Sequence, residues 1–344
     1  MKTIAFFNNK GGVGKTTLVY HLAWMYAELG FSVVAVDLDP QANLTTVFLD
    51  EDRLEQLWPD GAHPDSVLGA VSPILRGLGD IREPHVEPIA DNLGLVVGDL
   101  GLSGFEAKLS AAWPDCLGHD ESAFRTESAF HRTILRAADE RSADLALIDV
   151  GPNLGAINRA AIIAANFVVF PLAPDLFSLQ ALRNVGPTLR EWRREWQDRL
   201  ERRPEVEDLE LPSADIVPGG YVVMQHAVRA GRPVKAYQKW TKRIPDAYRR
   251  QVVPDRHDAG DASTEDDAEC LATLKHYRSL MAMAHEARKP MFHLRAADGA
   301  LGGHIYAVQD CFSDFEKLAR AIAARCDVRM GADERPAALA GRRP

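Results

Sequence analysis

Apolar residues in this chain fall into short continuous runs, separated by stretches where they recur every three or four positions. The runs at 4–7 (IAFF), 32–37 (SVVAVD), 93–97 (LGLVV), 144–149 (DLALID), 167–170 (FVVF) and 221–224 (YVVM) read as strands buried on both faces of a parallel sheet. Residues 18–29, closed by Gly30, read as a helix, and Leu179, Leu182, Val185, Leu189, Trp192 and Trp196 mark one face of a long amphipathic one. Further helices are expected over 105–113 and 124–138, around a loop containing Pro114 and Gly118, and over 271–287 and 308–324. A short strand is expected at 291–294. Tyr237, Trp240, Ile244 and Tyr248 have helical spacing, with Pro245 as a kink or a fresh start. Residues 50–90 are poorly patterned apart from a helical stretch at 67–78, and read as an insertion.

Strands alternating with helices, with no break in composition and no internal repeat, predict an α/β fold: a doubly wound, mostly parallel sheet with helices on both faces. One domain over residues 1–328 is expected. Residues 254–268 are polar and acidic and are expected to form a mobile loop. Residues 329–344 lack apolar periodicity and are expected to be disordered.

The sequence KGGVGKTT (10–17) lies between the first strand and the first helix. A glycine-rich turn in that position cradles phosphates, because its N–H groups point inward and the helix N-terminus adds positive potential. Lys15 would reach the β- and γ-phosphates and Thr16 would bind Mg²⁺. Where the usual phosphate-loop pattern opens with glycine, Asn9 stands, and Lys10 opens the loop instead. Three carboxylates, Asp37, Asp39 and Asp149, end core strands or follow them closely. Asp149, after an apolar strand, has the Walker B arrangement and would hold Mg²⁺ through a water molecule.

Lys10 followed by two glycines resembles the deviant Walker A loop of the ParA/MinD-type P-loop ATPases, and the likeness is greatest to the ParA partition ATPases. The resemblance implies ATP and Mg²⁺ as cofactors, with Lys10, Gly11, Gly12, Val13, Gly14, Lys15, Thr16 and Thr17 binding ATP. It also implies an ATP-dependent homodimer in which each Lys10 reaches the partner's phosphates. DLDPQAN (37–43) is similar to switch I of the family, with Asp37, Pro40 and Gln41, and puts the water-positioning role on Asp39. DVGPNLG (149–155) resembles switch II, with Gly151 and Pro152; Gly151 stands where the family has proline, so a looser segment is expected. NLGLVVG (92–98) with Glu106, and EARKPMF (286–292), resemble the middle and closing parts of the family fold. Residues 225–285 depart most from it. A partner protein that stimulates slow hydrolysis is implied as well.

With 344 residues and a net charge of −9, nucleic-acid affinity must come from a local patch. Arg229, Arg232, Lys235, Lys239, Lys242, Arg243, Arg249 and Arg250 provide one, eight basic residues against the single acid Asp246. The resemblance implies that such a patch holds double-stranded DNA without sequence preference. The other reading is an amphipathic helix with buried aromatics and a solvated basic face. The N-terminus leaves no room for a signal peptide before the first strand, no run approaches the ~20 residues of a membrane span, and the four cysteines lack metal-like spacing. A cytoplasmic protein is expected, nucleoid-associated if it binds DNA. A MinD-like membrane or protein-platform switch is the alternative, but residues 337–344 lack the bulky apolar side chains of a membrane-binding helix. A reductase resembling the nitrogenase iron protein would need cysteines near Asp149, and none is there.

Overall fold

The apolar runs become strands because each can bury both faces only inside a sheet covered on both sides. The computed structural model describes residues 1–226, 228–229, 232–233, 239–253, 264, 266–277 and 279–329. Along the chain, β1 (Lys2–Phe6) leads through the glycine loop into α1 (Lys15–Glu28) and β2 (Val33–Asp37). Then come α2 (Asn43–Phe48), α3 (Glu51–Leu57), α4 (Val67–Leu75), β3 (Glu87–Ala90) and β4 (Leu93–Val96). Three helices, α5 (Glu106–Asp115), α6 (Glu121–Glu127) and α7 (Ala129–Glu140), precede β5 (Leu145–Asp149), α8 (Ala156–Ile163), β6 (Phe167–Leu172) and α9 (Leu176–Leu200). The remainder holds β7 (Val217–His226), the hairpin β8 (Val228–Arg229) and β9 (Arg232–Pro233), α10 (Ile244–Gln251), β10 (Cys270–Lys275), α11 (Ser279–Ala287) and α12 (Gly303–Arg325).

The main sheet has the order β10-β7-β6-β1-β5-β2-β4-β3. Every pairing is parallel except that of β3 with β4. Alternation along the strands divides the core. Ile4, Phe6, Val33, Ala35, Leu145 and Leu147 pack on one face with α1 and α12. Ala5, Val34, Val36, Ala146 and Ile148 pack on the other with α4, α5 and α7 to α10. Helix α1 is covered in turn by α12, where the Tyr26 hydroxyl donates to the Ala319 carbonyl at 2.9 Å.

Several expectations need correction. Residues 271–287 are not one helix: Cys270–Lys275 pairs in parallel with β7 as the edge strand, and only Ser279–Ala287 is helical. Residues 291–294 are not a strand. The edge they would join is occupied by β10, and Met291–His293 makes a 3₁₀ turn whose first N–H is held by a histidine of α1. The helix expected over 124–138 is two, Glu121–Glu127 and Ala129–Glu140, which meet at Ser128, where the N–H and the hydroxyl both donate to the Phe124 carbonyl. Pro114 lies in the last turn of α5, not in a loop. The poorly patterned 50–90 stretch contains α3, α4 and the antiparallel strand β3. Pro245 is a fresh start, at the N-terminus of α10. Most of the expected loop at 254–268, and all of the tail beyond 329, lie outside the described residues.

Candidate functional site

Three neighbouring strands bring the chemistry-bearing residues to one level. In the parallel register Phe6 stands beside Asp149 and Asp37 stands beside Asp149, so the C-terminal ends of β1, β5 and β2 form a single ledge. The glycine loop rises from that ledge. Gly12 (φ 74°) and Gly14 (φ 87°) take left-handed backbone conformations that a side chain would strain. Gly14 is the N-cap of α1, and no side chain caps that helix, so its first N–H groups remain available to an anion.

Lys15 is buried beneath the loop. Its Nζ donates to Asp149 Oδ1 at 2.7 Å and lies 4.0 Å from Asp39 Oδ2. The Thr16 hydroxyl donates to the other oxygen of Asp149 at 2.6 Å. Asp37, fully buried, accepts the Thr45 N–H and hydroxyl, both at 2.8 Å, and the Asp39 N–H at 3.3 Å. Burial first, and then the charges of Asp149 and Asp39, push the Asp37 carboxyl up to about 7. Two carboxylates, Asp39 and Asp149, around the single Lys15 ammonium leave a surplus of negative charge, which suits a hard divalent cation. Thr16 and Asp149 offer oxygen atoms of the kind that Mg²⁺ takes when phosphates and water complete its shell. Among the described residues no cluster of three or more His, Cys, Asp or Glu forms a protein-only metal cage, and a shared site of this kind does not need one.

The two segments expected to act as switches border the same cleft. Asp39 Oδ1 accepts the Gln41 N–H at 3.0 Å, and the Asp39 carbonyl accepts the N–H of Ala42, a non-glycine residue with a left-handed φ of 51°. Gly151 does not form a loose segment. Its N–H donates to Asn158 Oδ1 at 3.0 Å, and Asn158 Nδ2 donates back to its carbonyl at 2.8 Å. A Cβ at 151 would meet Asp39 Oδ1 at an ordinary contact distance of 3.4 Å, so the two segments are direct neighbours. Glu106 of α5 caps α8 from outside, accepting the Ala156 N–H at 2.5 Å and the Ile157 N–H at 2.9 Å.

Lys10 stands at the mouth of the loop, and its ammonium points to α9. Its Nζ is paired with Asp175, the N-cap of α9, and lies 5.7 Å from the centre of the Phe177 ring. Both side chains of the pair are about one-third exposed (28% and 35%). Partial burial raises the Asp175 carboxyl, but the Lys10 ammonium and the Ser178 N–H outweigh it and hold the group below its ordinary value.

A cleft of about 300 Å³ lies over these residues, lined by 10–17 with Asp39, Gln41, Asn43, Val47 and Pro152. Thr17 and Val47 also line a more apolar cavity of about 370 Å³, walled by Tyr20, His21, Met281 and Met291. His21 ties this end of the site to the C-terminal half: its Nδ1–H donates to the Thr17 carbonyl at 2.7 Å and its Nε2 accepts the Met291 N–H at 3.1 Å. Burial holds the ring at about 4, so it is neutral and both roles are fixed.

The basic residues expected to form one patch have different environments. Lys239 and Arg243 flank the Trp240 ring, Arg249 pairs with Asp267 at 3.2 Å and Arg250 with Asp246 at 2.8 Å, while Lys242 is exposed. Arg229 and Arg232 lie in β8 and β9, and Lys235 falls outside the described residues. Sequence reasoning missed Thr45, Asn158 and Asp175. Asp175 alone carried a readable signal, as the aspartate three residues before Ser178 at the start of a helical pattern.

A family model described as an AAA domain matches residues 1–202. Protein IncC of Escherichia coli is 30% identical over 189 residues, covering 55% of this chain and 46% of its own. The chromosome-partitioning ATPase Soj of Thermus thermophilus is 33% identical over 201 residues, covering 58% of this chain and 66% of its own. The chain thus spans between about half and two thirds of the length of these curated relatives. Among solved structures, protein DIP2308 of Corynebacterium diphtheriae superposes with a TM-score of 0.70 at 23% identity, covering 94% of this chain and 98% of its own. An ATP complex of Cyanothece McdA does so with 0.62 at 15% identity, covering 96% and 98%. At these identities the likeness establishes the fold.

Proposed function

The chain belongs to the AAA-domain family, among the ParA/MinD-type P-loop ATPases, and from that premise we propose that it is an ATP-driven dimerisation switch that positions or partitions DNA. The observation that carries the reading is the arrangement beneath the glycine loop. Lys15 is held between Asp149 and Asp39, Thr16 is hydrogen-bonded to Asp149, and Lys10 stands apart at the mouth.

ATP places its triphosphate in the cleft over residues 10–17, against the N-terminus of α1 and the Lys15 ammonium. The γ-phosphate displaces Lys15 from its contact with Asp149. Thr16 and Asp149 would hold Mg²⁺, which would supply neutralisation of the phosphate charge. Asp39, fixed through Gln41 and close against Gly151, orients the attacking water. Phosphoryl transfer depends on positioning and charge stabilisation, so a site that lacks one donor until a partner arrives turns over slowly. Lys10 leaves Asp175 and completes the partner subunit's site. The dimer binds duplex DNA without sequence preference, and a second protein stimulates hydrolysis and releases it. The chromosome-partitioning role named for the Thermus thermophilus relative supports this cargo class.

The test uses the Asp39→Ala protein, which should bind ATP without hydrolysing it. Sedimentation with ATP and Mg²⁺ should show a dimer that ADP does not support and that Lys10→Ala abolishes. Random-sequence duplex DNA should then bind only in the ATP form. Absence of both phosphate release by the parent and a nucleotide-dependent dimer would sink the reading. A confirmed dimer that ignores DNA would leave a switch acting on a protein or membrane platform.

A further inference from the structure

We infer that the duplex DNA surface is composite, and that the arginine stripe of α9 is its principal part; this rests on the DNA reading proposed above. On α9, Arg183, Arg190 and Arg194 follow one another at intervals of seven and four residues, so at 100° per residue they lie within about 40° of arc. All three are exposed. Among the described residues neither Arg183 nor Arg194 has an acidic partner within ion-pair distance. The stripe extends about 16 Å along the helix, a length over which each strand of a duplex presents about five phosphates.

The docking of α10 fixes this stripe to the basic residues after β9. Gly186 lies on the same side of α9, and a Cβ there would collide with the Gln251 carbonyl oxygen, so the helices touch backbone to backbone. Arg190 donates to that same carbonyl. Helix α10 and the turn before it then add Lys242 and Arg250, both exposed, to the surface. The Arg250–Asp246 pair is a solvent-exposed i,i+4 contact, the kind that yields readily to a phosphate. Arg249, by contrast, is engaged with the buried Asp267. The neighbouring acids are Glu191 and Asp198 on α9, the latter exposed one turn beyond Arg194, and Asp246 on α10.

The stripe favours a duplex over a single strand. Single-stranded nucleic acid is held by aromatic platforms between the cations. The aromatic residues of this helix after its first turn, Trp192 and Trp196, are buried in the core. A straight row of guanidiniums with no stacking surface fits a regular phosphate backbone.

In the Asp39→Ala background with ATP and Mg²⁺, we would measure binding to a random-sequence 40-base-pair duplex across a salt series. Three proteins are compared: the parent, Arg183→Gln/Arg194→Gln and Lys242→Gln/Arg250→Gln. Each lost phosphate contact should lower the slope of log affinity against log salt by about 0.9, so each pair should lower it by about 1.8. That corresponds to about 30-fold weaker binding at 0.15 M salt. Arg183→Lys/Arg194→Lys should retain the parent slope, and sedimentation should show an undiminished ATP dimer in every variant. A parent that binds DNA while the α9 pair keeps its slope overturns the composite surface and leaves the DNA reading standing. A parent that forms the dimer and does not bind DNA overturns both. Tighter binding of single-stranded than of duplex DNA overturns the assignment of the stripe to a duplex.

Discussion

Replacing Asp175 with serine should make ATP-driven association easier. In the structure Asp175 has two partners. One oxygen accepts the Ser178 N–H at 2.8 Å as the N-cap of α9, and the other holds Lys10. Serine keeps the cap, at a cost of a few tenths of a kcal/mol, and removes only the charge that restrains Lys10. With the two side chains 28% and 35% exposed, the pair belongs to the solvent-screened class, worth about 0.2–1 kcal/mol. A dimer must open two such pairs, so the gain is about 0.4–2 kcal/mol, or roughly 2- to 30-fold in the dimer dissociation constant. The assay is sedimentation equilibrium with ATP and Mg²⁺ in the Asp39→Ala background, which prevents hydrolysis from depleting the dimer. High salt should narrow the difference between Asp175→Ser and its parent, because screening already weakens the parent's pair. An unchanged or weaker dimer would refute the idea that Asp175 holds Lys10 back, provided that circular dichroism shows α9 intact.

Glu106→Ala should destabilise the fold by about 2–3 kcal/mol, since the N-terminus of α8 loses two charge-assisted hydrogen bonds at 2.5 and 2.9 Å. Glu106→Gln should lose about half of that, and a urea-midpoint change equal in the two variants would contradict the charge argument. Glu127 predicts a dependence on pH. Burial, opposed by its contact with Arg159 at 3.3 Å, pushes its carboxyl up to about 8. The unfolded chain gives up this proton near 4.5 and the folded chain does so only near 8. The contribution to stability is therefore complete below pH 4.5 and is lost as the pH rises through 8. Glu127→Gln should flatten the profile of melting temperature between about pH 5 and 9. About 5 kcal/mol is the ceiling for the parent's loss, and superimposable profiles would dismiss it.

The part of the site that was legible in the sequence is local. The loop at 10–17, Asp39 and Asp149 announce themselves because strand, turn and helix follow one another within a few residues. Periodicity also located the strands that bury both faces, because a continuous apolar run has few other uses. What escaped was set by distant parts of the chain. Residues 270–275 carry an apolar pattern compatible with a helix, and only the open edge of β7 makes them a strand. Residues 291–294 look like a strand and turn instead, because β10 takes the edge and His21 captures the Met291 N–H. Asn158 pins Gly151 from one helix beyond, and Asp175 meets Lys10 across 165 residues of chain. The basic segment could be counted from sequence, but its division between paired and exposed residues depends on how α9 and α10 dock.

The family match ends at residue 202, whereas the sheet does not. Strands β7 and β10 complete it on the β6 side, and α12 roofs α1, with Tyr26 hydrogen-bonded to Ala319 and His21 to Met291. A fragment cut at the family boundary would expose an open parallel edge and the apolar back of the very helix that begins at Lys15. The familiar half of this protein is therefore not a transplantable module. The half beyond residue 202 shelters that helix, so the border of the family match and the border of the folded unit fall at different places on the same chain.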